Sequence, residues 1–349
     1  MEIDGTVIGP NRSPFFIAEA GVNHNGSLDR AKKLIDVAAD AGADAVKFQT
    51  FSTDRLVAQD TSTAAYQESA TGETDQYEML TRYELNRDEH RTLLDYCSKK
   101  NITFLSTPFD IQSADMLADL GVSAFKIGSG DLDNHPLLTH VAGHGLPMIV
   151  STGMGTLEEI KAAKTVIQAE NPSADIVFLH CTSSYPTEVS DVNLRAMQSM
   201  SDELEVSVGY SDHTTLTELP ALATAAGACI LEKHFTLDST LPGPDHETSL
   251  EPDELEEAID KVDVATTALG DGEKRPLAAE MENRSTARKS IHAAVDVNAG
   301  TTLSESDLKV IRPSDGISPR KFESVIGAKT LIDIEQGSPI QESSISFDE

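Results

Sequence analysis

The sequence predicts an α/β protein, a (β/α)₈ TIM barrel followed by a small C-terminal domain. Three observations carry that reading. Eight short β-rich runs recur before Gly270, each followed by a turn signal and then a stretch of helical periodicity. Each run is almost continuously apolar, as parallel strands covered on both faces require. After Gly270 the texture changes to charged, Gly/Pro-punctuated sequence and then to a short quasi-repeat.

The predicted strands, in order, are Phe15–Ala20, Ala45–Gln49, Ile102–Ser106, Ala124–Gly128, Met148–Ser151, Ile176–His180, Glu205–Gly209 and Cys229–His234. Amphipathic stretches separate them. Ala31, Leu34, Ile35, Ala38 and Ala39 follow helical spacing after Ser27, a good N-cap. Asn86 with Glu89 opens another helix as a capping box. An Ala-rich stretch from Thr217 to Gly227 forms a third helix, between the last two strands.

In such a barrel the C-terminal strand ends carry the chemistry. All eight ends here are polar. They supply Glu19 and Asn23-His24-Asn25-Gly26, then Lys47 and Gln49, then Ser106-Thr107-Pro108. The fourth and fifth give Lys126-Ile127-Gly128-Ser129-Gly130-Asp131 and Ser151-Thr152-Gly153. The sixth gives His180-Cys181-Thr182-Ser183-Ser184-Tyr185-Pro186, and the last two give Ser211, His213 and His234. A purely structural barrel has no need of this.

His213 and His234 end consecutive parallel strands. Neighbouring strands lie about 4.8 Å apart, so both imidazoles can reach one metal ion. Lys47 and Lys126 sit in apolar runs, where an ammonium is costly unless paired with an anion. With nearby hydroxyls and Gly-rich backbone they make a cradle for phosphate and carboxylate. Two other roles stay open for them: pairing with an internal Glu, or Schiff-base chemistry on a carbonyl substrate. Cys181, beside His180, reads as a small buried residue.

Composition narrows the function classes. The chain has 349 residues and 39% hydrophobic content, and no apolar stretch near the roughly 20 residues of a membrane span. The N-terminal residues lack a basic region before an apolar core, so no signal peptide is expected. Three cysteines without metal-type spacing suit a reducing cytoplasm. The net charge of −31 argues against nucleic-acid binding and for a salt-adapted, halophilic source.

Three parts follow: a barrel over 1–270, a linker over 271–286 and a domain over 287–349. In the last, Asp296-Val-Asn-Ala-Gly300 leads to Leu303 and Leu308, and Asp333-Ile-Glu-Gln-Gly337 leads to Ile340 and Ile345 at the same offsets. Each half reads as a strand, a turn at Gly, then a short helix or turn. Arg312 lies between them.

The strings Ile17-Ala18-Glu19-Ala20-Gly21-Val22-Asn23-His24-Asn25-Gly26, Val46-Lys47-Phe48-Gln49-Thr50, Phe125-Lys126-Ile127-Gly128-Ser129-Gly130, Gly209-Tyr210-Ser211-Asp212-His213-Thr214 and Glu232-Lys233-His234-Phe235-Thr236 occur in this order. Ser106-Thr107-Pro108-Phe109, Ser151-Thr152-Gly153-Met154, His180-Cys181-Thr182 and Pro242-Gly243-Pro244-Asp245 fall between and after them. Over nearly its whole length the chain resembles the sialic acid synthase (N-acetylneuraminate synthase) family. Its tail resembles that family's antifreeze-like SAF domain.

The resemblance implies condensation of phosphoenolpyruvate with an open-chain N-acetylated aminosugar such as N-acetylmannosamine, giving a nine-carbon 2-keto acid and phosphate. It implies a divalent metal, Mn²⁺ with Mg²⁺ or Co²⁺ as alternatives, on His213 and His234. Phosphoenolpyruvate would lie on Lys47, Lys126, Ser129, Ser151 and Ser211, with Ser183 and Asp245 nearby. Glu19 would stand near the reacting carbons, and Gln49, Asp131 and Tyr185 on the sugar side. Arg312 would reach the partner's site in a domain-swapped homodimer. Ser183 and Asp131 depart from the Asn and Glu of many sialate synthases, which bears on the sugar. Legionaminic and pseudaminic acid synthases share the barrel motifs. A Schiff-base aldolase and a non-catalytic carbohydrate-binding protein are the rivals from other classes.

Self-repulsion among so many carboxylates should be relieved by salt. The thermal midpoint is expected to rise between low salt and molar KCl. A midpoint that stays flat across that range would remove the salt-adapted reading.

Overall fold

Eight parallel strands wrap into a nearly closed barrel: β1 (Phe15–Gly21), β2 (Ala45–Thr50), β3 (Thr103–Pro108), β4 (Phe125–Ile127), β5 (Met148–Ser151), β6 (Ile176–Cys181), β7 (Val208–Asp212) and β8 (Ile230–His234). The structure is a computed structural model and describes residues 1–63, 68 and 71–347. It divides into two compact units, Met1–Asp271 and Gly272–Glu349.

The sheet order is β3-β2-β1-β8-β7-β6-β5-β4. The last strand therefore pairs with the first, His234 opposite Glu19. β3 and β4 adjoin without a hydrogen-bonded ladder, where β4 is only three residues long. Helices α1 (Leu28–Asp40), α2 (Arg87–Lys100), α3 (Ile111–Leu120), α4 (His135–Gly143), α5 (Leu157–Glu170), α6 (Arg195–Leu204), α7 (Leu219–Ala225) and α8 (Pro252–Leu269) follow the strands in turn.

Local chemistry accounts for these elements. The Ser27 hydroxyl accepts from the Arg30 amide at the start of α1, which buries Ala31, Leu34, Ile35 and Ala38. Asn86 and Glu89 form a reciprocal capping box on α2. The seventh strand is shifted from its expected place. Glu205 is the left-handed cap of α6, at φ 52°, and the strand begins at Val208. The helix runs on to Leu204 because Met197, Met200 and Leu204 bury one of its faces. Ser211 and Asp212 consequently lie within the strand.

Strand alternation splits the core in two. Phe16, Ala18, Val46, Phe178 and Tyr210 face the helices. Phe15, Ile17, Ala45, Leu105, Ala124, Ile149, Val177, Leu179 and Ile230 form a separate cluster inside the barrel, together with Ile3 and Ile8. Ile3 lies in, and Ile8 just after, a short N-terminal hairpin, Glu2–Ile3 with Thr6–Val7. Each buried aliphatic side chain contributes about 1.5–3 kcal/mol. The interior is thus filled up to the level where its polar residues begin.

The second unit carries antiparallel pairs β9 (Ser290–Ala293) with β10 (Leu308–Ile311) and β11 (Lys329–Thr330) with β12 (Ile345–Ser346). The sequence repeat explains its centre. The Ala299 amide donates to Asp333 and the Gln336 amide to Asp296, each at 2.7 Å. Val297 and Ile334 exchange backbone hydrogen bonds, and Leu303, Leu308, Ile340 and Ile345 share one core. Within 271–286 the structure has a 3₁₀ turn at Ala278–Glu280 and most of a helix at Met281–Ala287, neither with buried residues. Asp348 and Glu349 of the expected terminal domain lie outside the described residues. Among the described residues no helix is long and apolar enough to cross a membrane.

Candidate active site

The inward rows turn polar at the C-terminal strand ends. Ile17 is followed on its face by Glu19, Ala45 by Lys47, Leu105 by Thr107, and Ile149 by Ser151. Likewise Ala124 precedes Lys126, Leu179 precedes Cys181, and Ile230 precedes Glu232 and then His234. All of these polar residues line one cavity of about 660 Å³, a size suited to small-molecule sites.

Its floor is a buried charge network. Lys47 Nζ donates to Glu19 Oε1 at 2.8 Å and Thr107 Oγ1 at 2.9 Å, and lies 3.4 Å from Glu232 Oε1. Lys126 Nζ donates to Ser151 Oγ at 2.8 Å and pairs with Glu232 Oε2 at 3.1 Å. Both lysines therefore do pair with internal carboxylates, and both also face the cavity. Burial favours the neutral form of each carboxyl, but the two differ in how many cations they face. For Glu232 it is outweighed by Lys126 and Lys47, which hold it well below the usual carboxylate range. For Glu19 burial wins over Lys47, and the pKa rises to about 7. One carboxylate is a fixed anion and the other is poised to exchange a proton. Glu19 Oε2 is buried without a protein hydrogen-bond partner.

Beside Lys126 lies a hydroxyl-lined cradle at Gly153. A Cβ there would stand 2.2 Å from Ser183 Oγ and 2.8 Å from Ser129 Oγ. Only glycine leaves that space open, and its amide donates to Ser129 Oγ at 3.0 Å. Ser211 lines the same cavity as Glu232 and helps to lower its pKa. Lysines, hydroxyls and a glycine turn are donors suited to phosphate and carboxylate oxygens.

Across the cavity the rings of His213 and His234 have centroids 5.5 Å apart. His213 Nδ1 donates to the Thr182 carbonyl at 2.8 Å, which leaves the Nε2 lone pair free. His234 Nδ1 is buried without a partner, and burial holds this imidazole neutral. For His213 burial is outweighed by Cys181 and the Thr182 carbonyl, which raise its pKa. With Nε2 unprotonated the two imidazoles are suitable donors for a divalent ion, so the residues present fit one. Tyr185 packs against His213, tilted by 32° with centroids 4.1 Å apart. Among the described residues no third His, Cys or carboxylate atom gathers with the pair within 4.8 Å.

Asp245 reaches the cavity from the loop after β8, and burial raises its pKa to about 6. The loop is tied down by Asn23, which donates to Phe235 O and Ser249 Oγ, and by Asn25, which donates to Pro242 O and faces His246. At Gly21, where φ is +51°, a Cβ would lie 3.4 Å from Asp245 Oδ2 and Glu19 Oε1 and 3.6 Å from Gln49 Nε2. These three groups converge there. The outer wall is apolar: Leu56, Val57, Met79, Leu80, Phe109 and Met154.

Residues 34–274 match the NeuB family and residues 288–346 match the SAF domain. The chain belongs to the NeuB family. It is 44% identical over 336 residues to the N,N'-diacetyllegionaminic acid synthase of Legionella pneumophila, covering 95% of this chain and 94% of that one. It is 43% identical to the synthase of the same name from Campylobacter jejuni, over 90% of this chain and 95% of that one. A crystal structure of N-acetylneuraminic acid synthetase from Leptospira borgpetersenii, in complex with citrate, superposes with a TM-score of 0.73 at 37% identity, covering 81% and 94% of the two chains.

For this NeuB-family chain the structure also relocates some expected residues. Asp131 does not line the cavity. It ends the 3₁₀ turn Ser129–Asp131 and accepts from Asn134 Nδ2 at 2.8 Å, which turns it to its own helix start. Arg312 follows β10 in the C-terminal unit, where it is exposed. His180 donates to the Val192 carbonyl and packs on Tyr210, on the helix side of the sheet. Cys181 is more than packing: its Sγ lines the cavity 3.6 Å from His213 Nδ1. Glu232 was given no role by the sequence, and Thr107 was named only as a polar strand end. The signal was available, since Glu232 shares a strand face with His234, and Thr107 shares one with Leu105.

Behind the two histidines, on the opposite strand face, Lys233 Nζ pairs with Asp212 Oδ2 at 2.6 Å. Asp212 also accepts from the Thr214 amide at 2.9 Å and from Tyr210 OH at 3.2 Å. Both charges are only 1% exposed. Lys233→Met leaves Asp212 buried without its cation, and is expected to cost about 3–5 kcal/mol. Urea denaturation measures this, and an unchanged midpoint would show that the pair holds nothing.

Proposed function

We propose that the chain is a phosphoenolpyruvate-dependent sugar-acid synthase. In this reading it joins phosphoenolpyruvate to the open-chain aldehyde of an N-acetylated aminosugar, giving a nine-carbon 2-keto acid and inorganic phosphate. The observation that carries it is a single cavity lined by two buried lysines, a Gly153 cradle and two adjacent imidazoles.

The mechanism follows from what these groups can do. Lys47, Lys126 and the hydroxyls of Ser129, Ser151 and Ser183 hold the phosphate and carboxylate, and their fixed charges counter the charge that moves during reaction. C3 of the enol attacks the aldehyde carbon, forming the carbon–carbon bond, and the aldehyde oxygen takes a proton from solvent water. C2 is left with oxocarbenium character. Water adds there and loses one proton to Glu19; the hydroxyl left on C2 then passes its proton to the departing phosphate as the C2–O bond breaks and the ketone forms. Glu232, kept ionised, opposes the positive charge at C2. His213 and His234 would hold a divalent cation, Mn²⁺ in preference to Mg²⁺ or Co²⁺, which when bound supplies Lewis acidity to the aldehyde oxygen. Gln49, Tyr185 and Asp245 would orient the sugar. In a domain-swapped homodimer Arg312 would complete the partner's cavity, and the cytoplasm, where phosphoenolpyruvate is made, would be its location.

The apolar outer wall supports an acceptor carrying extra methyl groups. On this reading the acceptor is a diacetamido sugar, leading to a legionaminic- or pseudaminic-type acid, in preference to N-acetylmannosamine, which leads to N-acetylneuraminate. The two diacetyllegionaminic acid synthases point the same way.

The test is phosphate release from phosphoenolpyruvate over a panel of N-acetylmannosamine and diacetamido hexoses, with Mn²⁺ and EDTA arms. Release is expected only with both substrates, and is expected to stop with EDTA. Turnover that survives EDTA, with borohydride trapping of substrate on Lys47 or Lys126, would put a Schiff-base aldolase in its place.

Glu19 gives a second test. As a base it must be ionised, so kcat/KM should fall roughly tenfold per pH unit below about 7, the pKa of its carboxyl in the free site. Glu19→Gln should lower kcat by about 10²–10⁴ and flatten that limb. Full turnover in this variant would exclude the role.

A further inference from the structure

A second cluster of ligand atoms lies on the outer wall of the barrel, on different elements from those that line the cavity. Asp115 projects from α3, His140 from the last turn of α4, and His144 caps the C-terminus of α4. His140 and His144 are four residues apart, so a helix places them on one face. His140 Nε2 lies 2.6 Å from Asp115 Oδ1, and His144 Nε2 lies 3.1 Å from the same oxygen. The three donor atoms fall within 4.8 Å of one another, and among the described residues they are the one such triad of His, Cys, Asp or Glu.

We propose that Asp115, His140 and His144 form a site for a divalent transition metal of the zinc class, clipping α3 to α4. The donor set of two imidazoles and one carboxylate suits Zn²⁺. Zinc–ligand bonds of about 2.0–2.1 Å put tetrahedral ligand atoms roughly 3.3 Å apart. The observed separations from Asp115 need only small outward shifts of half-exposed side chains. Each imidazole would move its proton to Nδ1 and offer the Nε2 lone pair. Two features hold the rings ready. The His144 ring packs on buried Phe125 with centroids 5.6 Å apart, and the two imidazoles meet edge to face at 5.2 Å. The end of α4 also favours a cation, since unpaired carbonyls and the negative end of the helix dipole lie there. A fourth position would be left for water.

The site is independent of the barrel mouth, which makes it testable on the whole protein. Zn²⁺ is titrated calorimetrically into wild type and into H140Q/H144Q, with Mg²⁺ as control. The wild type is expected to bind one equivalent more than the variant, and to gain more in thermal midpoint from Zn²⁺. Turnover should be the same in both, because neither residue lines the cavity. Co²⁺ should give the wild type a tetrahedral visible absorption that the variant lacks. A third protein, H213A/H234A, should keep the equivalent that H140Q/H144Q loses. Equal stoichiometry in wild type and H140Q/H144Q, with no difference in cobalt absorption, would overturn the proposal and leave a surface hydrogen-bond cluster only.

Discussion

The site depends on four charges buried together at the top of the barrel core. Lys47, Lys126, Glu19 and Glu232 are each almost fully removed from water. None could stay ionised there alone, because desolvation costs several kcal/mol per ion. Together they nearly balance, and the imbalance is informative. Glu232 answers both lysines and stays ionised, while Glu19 holds only one at short range and is the carboxyl that can carry a proton near neutral pH. An arriving anion meets two cations already desolvated and already aimed.

Strand alternation makes such a network possible. Each strand that sends an apolar side chain inward at one level sends a polar one inward at the next. The apolar level closes the bottom of the barrel, with Ile3 and Ile8 sharing its core. The same alternation puts Asp212 and Lys233 on the outer face, directly behind the histidines. The cavity therefore has charged contacts inside and a charged brace outside, and the two do not compete.

The chain as a whole carries a net charge of −31, yet the groups that would bind an anion are cationic. These facts are compatible because the lysines act over a few ångströms in a dry pocket, where attraction is strong, while the acidic surface is solvated and screened. Specificity for an anionic substrate is a property of the pocket and cannot be read from the overall charge.

The barrel, its eight strand ends and most of the cavity-lining residues were legible in the sequence. The periods of strand and helix are short-range properties, and residues such as Lys47 and Lys126 are conspicuous in apolar runs. The C-terminal repeat was legible for the same reason, because Asp296 and Asp333 stand at matching offsets. Register and pairing were not. The left-handed cap at Glu205 moved a strand boundary, and a hydrogen bond to Asn134 turned Asp131 from the cavity. Only the folded chain showed that Glu232 serves both lysines, that Cys181 touches His213, and that helices three and four bring Asp115 to His140 and His144. Sequence spacing determines which way a side chain can face. Which groups meet is decided by where distant strands and helices come to rest, and burial then sets their charge.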